Sequence, residues 1–122
     1  MKKILWVGMA LFLPLFFASC ATTTTRQPSI YKWSSYTKDT YDYIKSGEED
    51  SIETVLKTYQ WIIDNQTGTV RETVPPGVCA DYGYLLVKSG RVQEGKKFLL
   101  KEKELYPESA PLVDSVIKMI ER

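Results

Sequence analysis

Residues 76–107, PGVCADYGYLLVKSGRVQEGKKFLLKEKELYP, decide the fold of this chain. Two apolar stripes at helical spacing are separated by Ser89-Gly90, a pair that breaks helices and permits a tight turn. A proline lies at the start of the first segment, where its absent N–H is tolerated, and Pro107 closes the second. The stretch therefore predicts two antiparallel helices, from near Pro76 to about Lys88 and from about Val92 to Tyr106.

Further helices are predicted on both sides of this pair. Upstream, a first helix runs from Asp39 or Thr40 to about Ser46, and a second from about Glu49 to Gln66. The second carries the clearest apolar stripe, which comprises Ile52, Val55, Leu56, Tyr59, Ile62 and Ile63. Downstream, Ser109 is expected to cap a fifth helix. The inward residues of the fifth helix are predicted to be Leu112, Val113, Val116, Ile117 and Ile120.

Residues 67–76 are predicted to form a loop, and no other window shows the alternation expected of paired strands. The short alternating segment 69–74 is too isolated to pair. The predicted fold class is therefore all-α.

The central pair resembles one tetratricopeptide unit when it is aligned on Gly83. The matching positions are Cys79, Tyr82, Gly83, Leu86, Gly90, Gly95, Leu99 and Pro107. The resemblance implies that Gly83 and Gly95 allow the helices to approach closely, while Cys79 and Glu102 depart from the family's usual residues. Since one repeat cannot bury both of its faces, the flanking helices are expected to act as caps. The result is a small tetratricopeptide-like bundle of about five helices.

The first 19 residues predict a lipoprotein signal peptide. Two lysines precede an apolar run, and Ala18-Ser19 comes directly before Cys20. Small residues before a cysteine at this position resemble the lipobox of bacterial lipoproteins. The resemblance implies cleavage before Cys20, a diacylglycerol on its thiol and acylation of the new N-terminus. An ordinary cleaved signal peptide and an uncleaved anchor are the alternatives.

Three parts of the chain follow from this assignment: the signal peptide at 1–19, a lipidated tether at 20–30 and a helical domain at 31–122. The tether is polar and rich in threonine. Ala21, rather than an aspartate, follows the lipidated cysteine, which indicates sorting to the outer membrane by likeness to enterobacterial lipoproteins.

Composition narrows the classes of function. Loss of the two signal-peptide lysines lowers the basic residues from 16 to 14, against 15 acidic residues, so nucleic acid is not an expected partner. The chain has no histidine, which removes the commonest general base and most zinc sites. No catalytic residue, metal or cofactor is therefore predicted. An enzyme that uses Asp81 or Glu102 is a minor alternative.

The chain from residue 30 to about 120 also resembles the bacterial lipoproteins of the domain of unknown function 4810 family. The resemblance is carried by the lipobox and by YKWSSY at 31–36, YDY at 41–43, VPPG at 74–77 and KEKELYPES at 101–109. It implies a Gram-negative envelope and a genetic neighbourhood with two other lipoproteins, one of them similar to the curli secretion channel. It brings no site residues.

Four aromatic residues are candidates for partner binding: Tyr31, Trp33, Tyr36 and Trp61. The first three follow the tether, where they either anchor a partner or pack over the first helices. Trp61 points away from the apolar stripe of its helix. It is either covered by the N-terminal aromatic segment or exposed to a partner.

Two polar positions in the central pair have structural interpretations. Glu102 is expected to reach the rim or to pair with a lysine or a tyrosine hydroxyl. Cys79 is expected to be a small core residue, because no histidine or basic neighbour activates its thiol. With Cys20 lipidated, no disulfide is expected.

These features predict an outer-membrane lipoprotein that faces the periplasm and acts as a non-enzymatic protein–protein adaptor in an envelope complex. The alternative is a module that binds a small ligand or a peptidoglycan fragment on its concave helix surface.

Overall fold

A computed structural model describes residues 26–47 and 49–122 of the chain. The elements in this part are the helices α1 (Tyr36–Ser46), α2 (Glu49–Asp64), α3 (Val78–Lys88), α4 (Val92–Leu105) and α5 (Ala110–Ile120), with a 3-10 turn at Pro107–Ser109 between the last two. No strand occurs among these residues, and the prediction of a small all-α bundle is confirmed. The predicted signal peptide, Cys20 and the first half of the tether lie outside the described residues.

Three helix ends differ from the prediction, at the starts of α1 and α5 and at the end of α2. Helix α1 begins three residues earlier than Asp39, at Tyr36. Helix α2 ends at Asp64 because the side-chain amides of Asn65 and Gln66 donate to its last-turn carbonyl oxygens. Ser109 precedes α5, but its hydroxyl donates to the carbonyl of Tyr106 and makes no capping bond, so that part of the prediction was wrong.

The core lies where α2 packs on α3. The predicted stripe of α2 is confirmed, with Ile52 half-buried and the other five positions buried. The outer helices contribute little, since α1 has no buried residue and α5 buries only Val113. Leu112, which is predicted to face inward, is 62% exposed, and Leu105, on the apolar stripe of α4, is 37% exposed. The buried residues of α4 are Gly95, Leu99 and Glu102.

The pair α3–α4 makes the closest helix contact in the described chain. A Cβ atom on Gly83 would lie 2.7 Å from the carbonyl oxygen of Gly95 and 3.0 Å from the backbone nitrogen of Leu99. Gly90 holds a φ of +84°, which a side chain would disfavour. Both predicted roles of the glycines, close approach and tight turn, are therefore confirmed.

The order of packing leaves one face of the bundle open. Helix α1 packs on α2, α2 on α3, α3 on α4, and α5 on α4 with a smaller contact to α3. Among the described elements, α1 makes no close backbone contact with α3. The surface of α3 is therefore flanked by two gaps, one toward α1 and one toward α5.

Candidate binding surfaces

Six aromatic rings form a continuous row from the segment before α1 to α4. In order they belong to Tyr31, Trp33, Tyr36, Tyr59, Tyr82 and Phe98, and neighbouring ring centroids lie 4.6–6.4 Å apart. Most of the contacts are edge-on or tilted, the arrangements that aromatic pairs favour. We call this set the aromatic row. It connects three predicted partner-binding residues to the core.

The segment that carries these three residues is fastened to the loop after α2. The backbone N–H of Lys32 donates to Oε1 of Gln66 at 3.1 Å, and Nε2 of Gln66 donates back to the Lys32 carbonyl at 3.0 Å. The packing alternative therefore fits Tyr31 and Tyr36, both half-buried, whereas Trp33 keeps 41% of its surface exposed. A role for any of the three in binding a partner stays a prediction.

Trp61 lies apart from the aromatic row. Its side chain is 41% exposed, and in the described part of the chain its indole ring stacks on no other aromatic ring. Of the two alternatives left open by the sequence, the structure supports exposure rather than cover by the N-terminal segment.

Glu102 is buried, contrary to the expectation that it reaches the rim. The side chain is 1% exposed, and its Oε1 accepts a hydrogen bond from the Gly77 N–H at 2.7 Å. Its Oε2 accepts from the Cys79 N–H at 3.2 Å. The carboxylate thus occupies the N-terminus of α3, where unpaired N–H groups and the helix dipole favour negative charge.

The same region brings two family segments together. VPPG at 74–77 and KEKELYPES at 101–109 meet through Glu102 and through the Tyr106 hydroxyl, which donates to the Val74 carbonyl at 2.7 Å. These residues maintain the hairpin. Cys79 lies beside them fully buried, and burial raises the pKa of its thiol to about 11, which keeps it protonated at neutral pH and disfavours a nucleophilic role.

Two recesses open along the exposed face of α3. A recess of about 150 Å³ opens between α1 and α3, and one of about 290 Å³ opens between α3 and α5. Asp81 and Tyr84 line both recesses. We call the combined surface the Asp81 groove. Its exposed apolar side chains are Ile44 at 74%, Leu112 at 62% and Met119 at 58%.

Asp81 is the carboxylate of this groove. The Tyr59 hydroxyl donates to Oδ2 of Asp81 at 3.3 Å, and no lysine or arginine of the described residues forms an ion pair with it. Although the residue as a whole is exposed, burial around the carboxyl group raises its pKa, and the hydrogen bond from Tyr59 acts in the opposite direction. Asp81 and Glu102 therefore have separate environments and do not form a carboxylate pair.

Sequence reasoning missed this surface. It named Asp81 only as a minor catalytic candidate, and it assigned Leu112 to the core. A signal was present, because Asp81 and Tyr84 are three residues apart and share a helix face opposite Leu86.

Among the described residues, no group of three histidine, cysteine or acidic side chains is placed to hold a metal ion. None of the helices in this part of the chain has the length and apolarity that crossing a membrane requires.

Comparison with known proteins gives one match. No curated protein and no solved structure matches this chain significantly. The family model described as "Domain of unknown function (DUF4810)" matches residues 30–116, which is most of the chain and includes helices α1 to α4 and the first part of α5. The chain therefore belongs to the family of the domain of unknown function 4810.

Proposed function

We propose that this protein is an outer-membrane lipoprotein, anchored through Cys20 and facing the periplasm, that acts as a non-enzymatic protein–protein adaptor. The observation that carries the proposal is the Asp81 groove, which leaves Ile44, Leu112 and Met119 exposed on one face of a small domain. Clustered exposed apolar side chains on a soluble domain typically mark an interaction site.

The form of the groove, with one open recess on either side of α3, favours a polypeptide over a small molecule. Sites that enclose drug-sized ligands usually measure roughly 300–1,000 Å³. The two recesses measure about 150 and 290 Å³, and both are open. A protein segment that crosses α3 can place side chains in both. The alternative, a small ligand or a peptidoglycan fragment, would fill one recess and leave the other exposed.

Lipid anchoring would hold the groove close to the membrane. A tether of about ten residues extends at most roughly 30 Å, so the domain stays close to the membrane. Partners in the same membrane are then met at high effective concentration, and a weak interface suffices. A lipoprotein similar to the curli secretion channel is the candidate partner that the family resemblance supplies.

The anchor is tested by Cys20→Ala. We expect this variant to lose acyl labelling and to leave the membrane fraction, while a Cys79→Ala variant keeps both. Acyl labelling that persists in Cys20→Ala would contradict the lipidation site.

The adaptor role is tested by a matched pair of surface variants. Leu112→Ser removes an apolar side chain from the groove, and Leu100→Ser removes one that is 54% exposed on α4 outside it. We expect Leu112→Ser alone to reduce recovery of envelope proteins from crosslinked membranes. Equal recovery with both variants would contradict the groove as the interface. A wild-type protein that retains a small molecule through purification and crosslinks to nothing would favour the alternative function.

A further inference from the structure

We infer that the Asp81 groove binds a protein segment in which one lysine or arginine is flanked by apolar side chains, with the cation against Asp81 and the apolar groups in the two recesses. This inference rests on the adaptor function proposed above and specifies the chemistry of the partner.

The first support is the unfilled bonding capacity of Asp81. Its carboxylate accepts one hydrogen bond, from Tyr59 at 3.3 Å. The four ion pairs of the described chain use Asp42, Glu94, Glu121 and Asp114, so none of them neutralises Asp81. A carboxylate with apolar walls and no cation is left with a charge that a partner's ammonium or guanidinium group can neutralise.

The second support is the aromatic ring of Tyr84, which lies beside Asp81 on α3. Tyr84 follows Asp81 by three residues on α3, is 43% exposed and lines both recesses. Side chains at this spacing are neighbours on a helix surface. A cation held by Asp81 therefore lies within reach of the face of an aromatic ring, which attracts it electrostatically.

The apolar flanks distinguish a protein segment from a free amine. Ile44 lies on the α1 side of Asp81, and Leu112 and Met119 lie on the α5 side. A polyamine would satisfy the carboxylate but would leave these three side chains in water. An acidic segment would place its carboxylates near that of Asp81. This repulsion would add to the effect of burial, which already disfavours the ionised form of Asp81.

A positive charge lies further along α3. Lys88 follows Asp81 by seven residues, about 10 Å along the helix, and its Nζ donates to the Tyr43 hydroxyl at 3.0 Å. The groove therefore has a negative centre and a positive end. This asymmetry fixes the position of the partner's cation at Asp81.

The test is a selection of displayed random dodecapeptides on the full chain in detergent micelles. Four proteins are compared: wild type, Asp81→Asn, Asp81→Lys and the control Asp64→Asn. Asp64 is an exposed aspartate on α2 outside the groove, and its partner is Gln60. Wild type and the control are expected to enrich peptides with one lysine or arginine between apolar residues. Asp81→Asn should lose the preference for a cation, and Asp81→Lys should select aspartate or glutamate instead.

The strength of the contact is measured with a synthetic peptide from the wild-type selection. Replacing its cationic residue with norleucine should weaken binding to wild type about tenfold, the effect of one charge-assisted hydrogen bond. The same replacement should change binding to Asp81→Asn by less than about twofold.

The inference would be overturned if the selection on wild type enriched no peptides, enriched peptides without a cation, or showed a preference for a cation that survives Asp81→Asn. It would also be overturned if an equal concentration of spermidine displaced the peptide. The proposed adaptor function is tested independently of this inference. It stands if Leu112→Ser still reduces partner recovery while no charge preference appears. It falls if cationic peptides bind at Asp81 but no envelope protein is recovered through the groove.

Discussion

Replacing Glu102 with glutamine is expected to destabilise the domain strongly, because a buried carboxylate holds the start of α3. The side chain is 1% exposed, and its two oxygens accept hydrogen bonds from the N–H groups of Gly77 and Cys79 at 2.7 and 3.2 Å. Glutamine keeps one of these acceptors. It turns an NH₂ group toward the other N–H, which then has no partner inside the protein.

The size of the effect follows from these contacts. A buried donor without a partner costs about 1–3 kcal/mol, and the loss of negative charge at a helix N-terminus costs roughly a further 1 kcal/mol. The free energy of unfolding should therefore fall by about 2–4 kcal/mol. For a domain of about 100 residues this lowers Tm by at least about 8 °C.

Thermal melts followed by circular dichroism measure this change on the full chain in detergent. The control is Glu104→Gln, the same substitution two residues along α4 at an exposed position. It should alter the free energy of unfolding by no more than about 0.5 kcal/mol. If Glu102→Gln melts together with its control, the carboxylate does not stabilise α3 and the structural interpretation of Glu102 is wrong.

Three further predictions concern other parts of the molecule. Gly83→Ala should cost about 2–3 kcal/mol in the same melts, since its Cβ would lie 2.7 Å from the carbonyl oxygen of Gly95; an unchanged Tm would contradict the close approach. Asp81→Asn should stabilise the fold at neutral pH. The pKa of Asp81 is raised in the folded protein, so the folded state binds this proton more tightly than the unfolded state does. The wild type therefore loses stability as pH rises through that pKa. The stability gained by Asp81→Asn over wild type should vanish below the ordinary aspartate pKa near 3.8. A difference in stability that grows in acid would contradict the predicted pH dependence. Trp61→Ala should leave the free energy of unfolding within about 1 kcal/mol of wild type, because the side chain is 41% exposed. An unfolded variant would place Trp61 in the core.

The sequence could predict the elements that have a clear apolar stripe at helical spacing, or whose backbone geometry requires a glycine. The stripe of α2 specifies its buried face, and Gly83, Gly90 and Gly95 specify a hairpin because two helices approach closely there and one residue needs a positive φ. These signals are local. Each can be interpreted without knowing what packs on the other side.

The functions of single polar residues could not be predicted in the same way. Glu102 occupies a position that suits either a rim or a core residue, and its partners at Gly77 and Cys79 lie more than 20 residues away in the sequence. Leu112 belongs to an apolar stripe, but α5 contacts too little of the bundle to bury it. The Asp81 groove exists only because α1 and α5 stand on either side of α3, which is a property of tertiary packing.

Site-specific photocrosslinking can show whether a membrane partner occupies the Asp81 groove. A benzophenone amino acid replaces Tyr84 in the groove or Leu100 outside it, and native envelopes are irradiated. We expect a discrete adduct at Tyr84 that disappears when Leu112→Ser or Cys20→Ala is added, and no such adduct at Leu100. An adduct at Leu100 with none at Tyr84, or one at Tyr84 that persists in both added variants, would contradict this expectation.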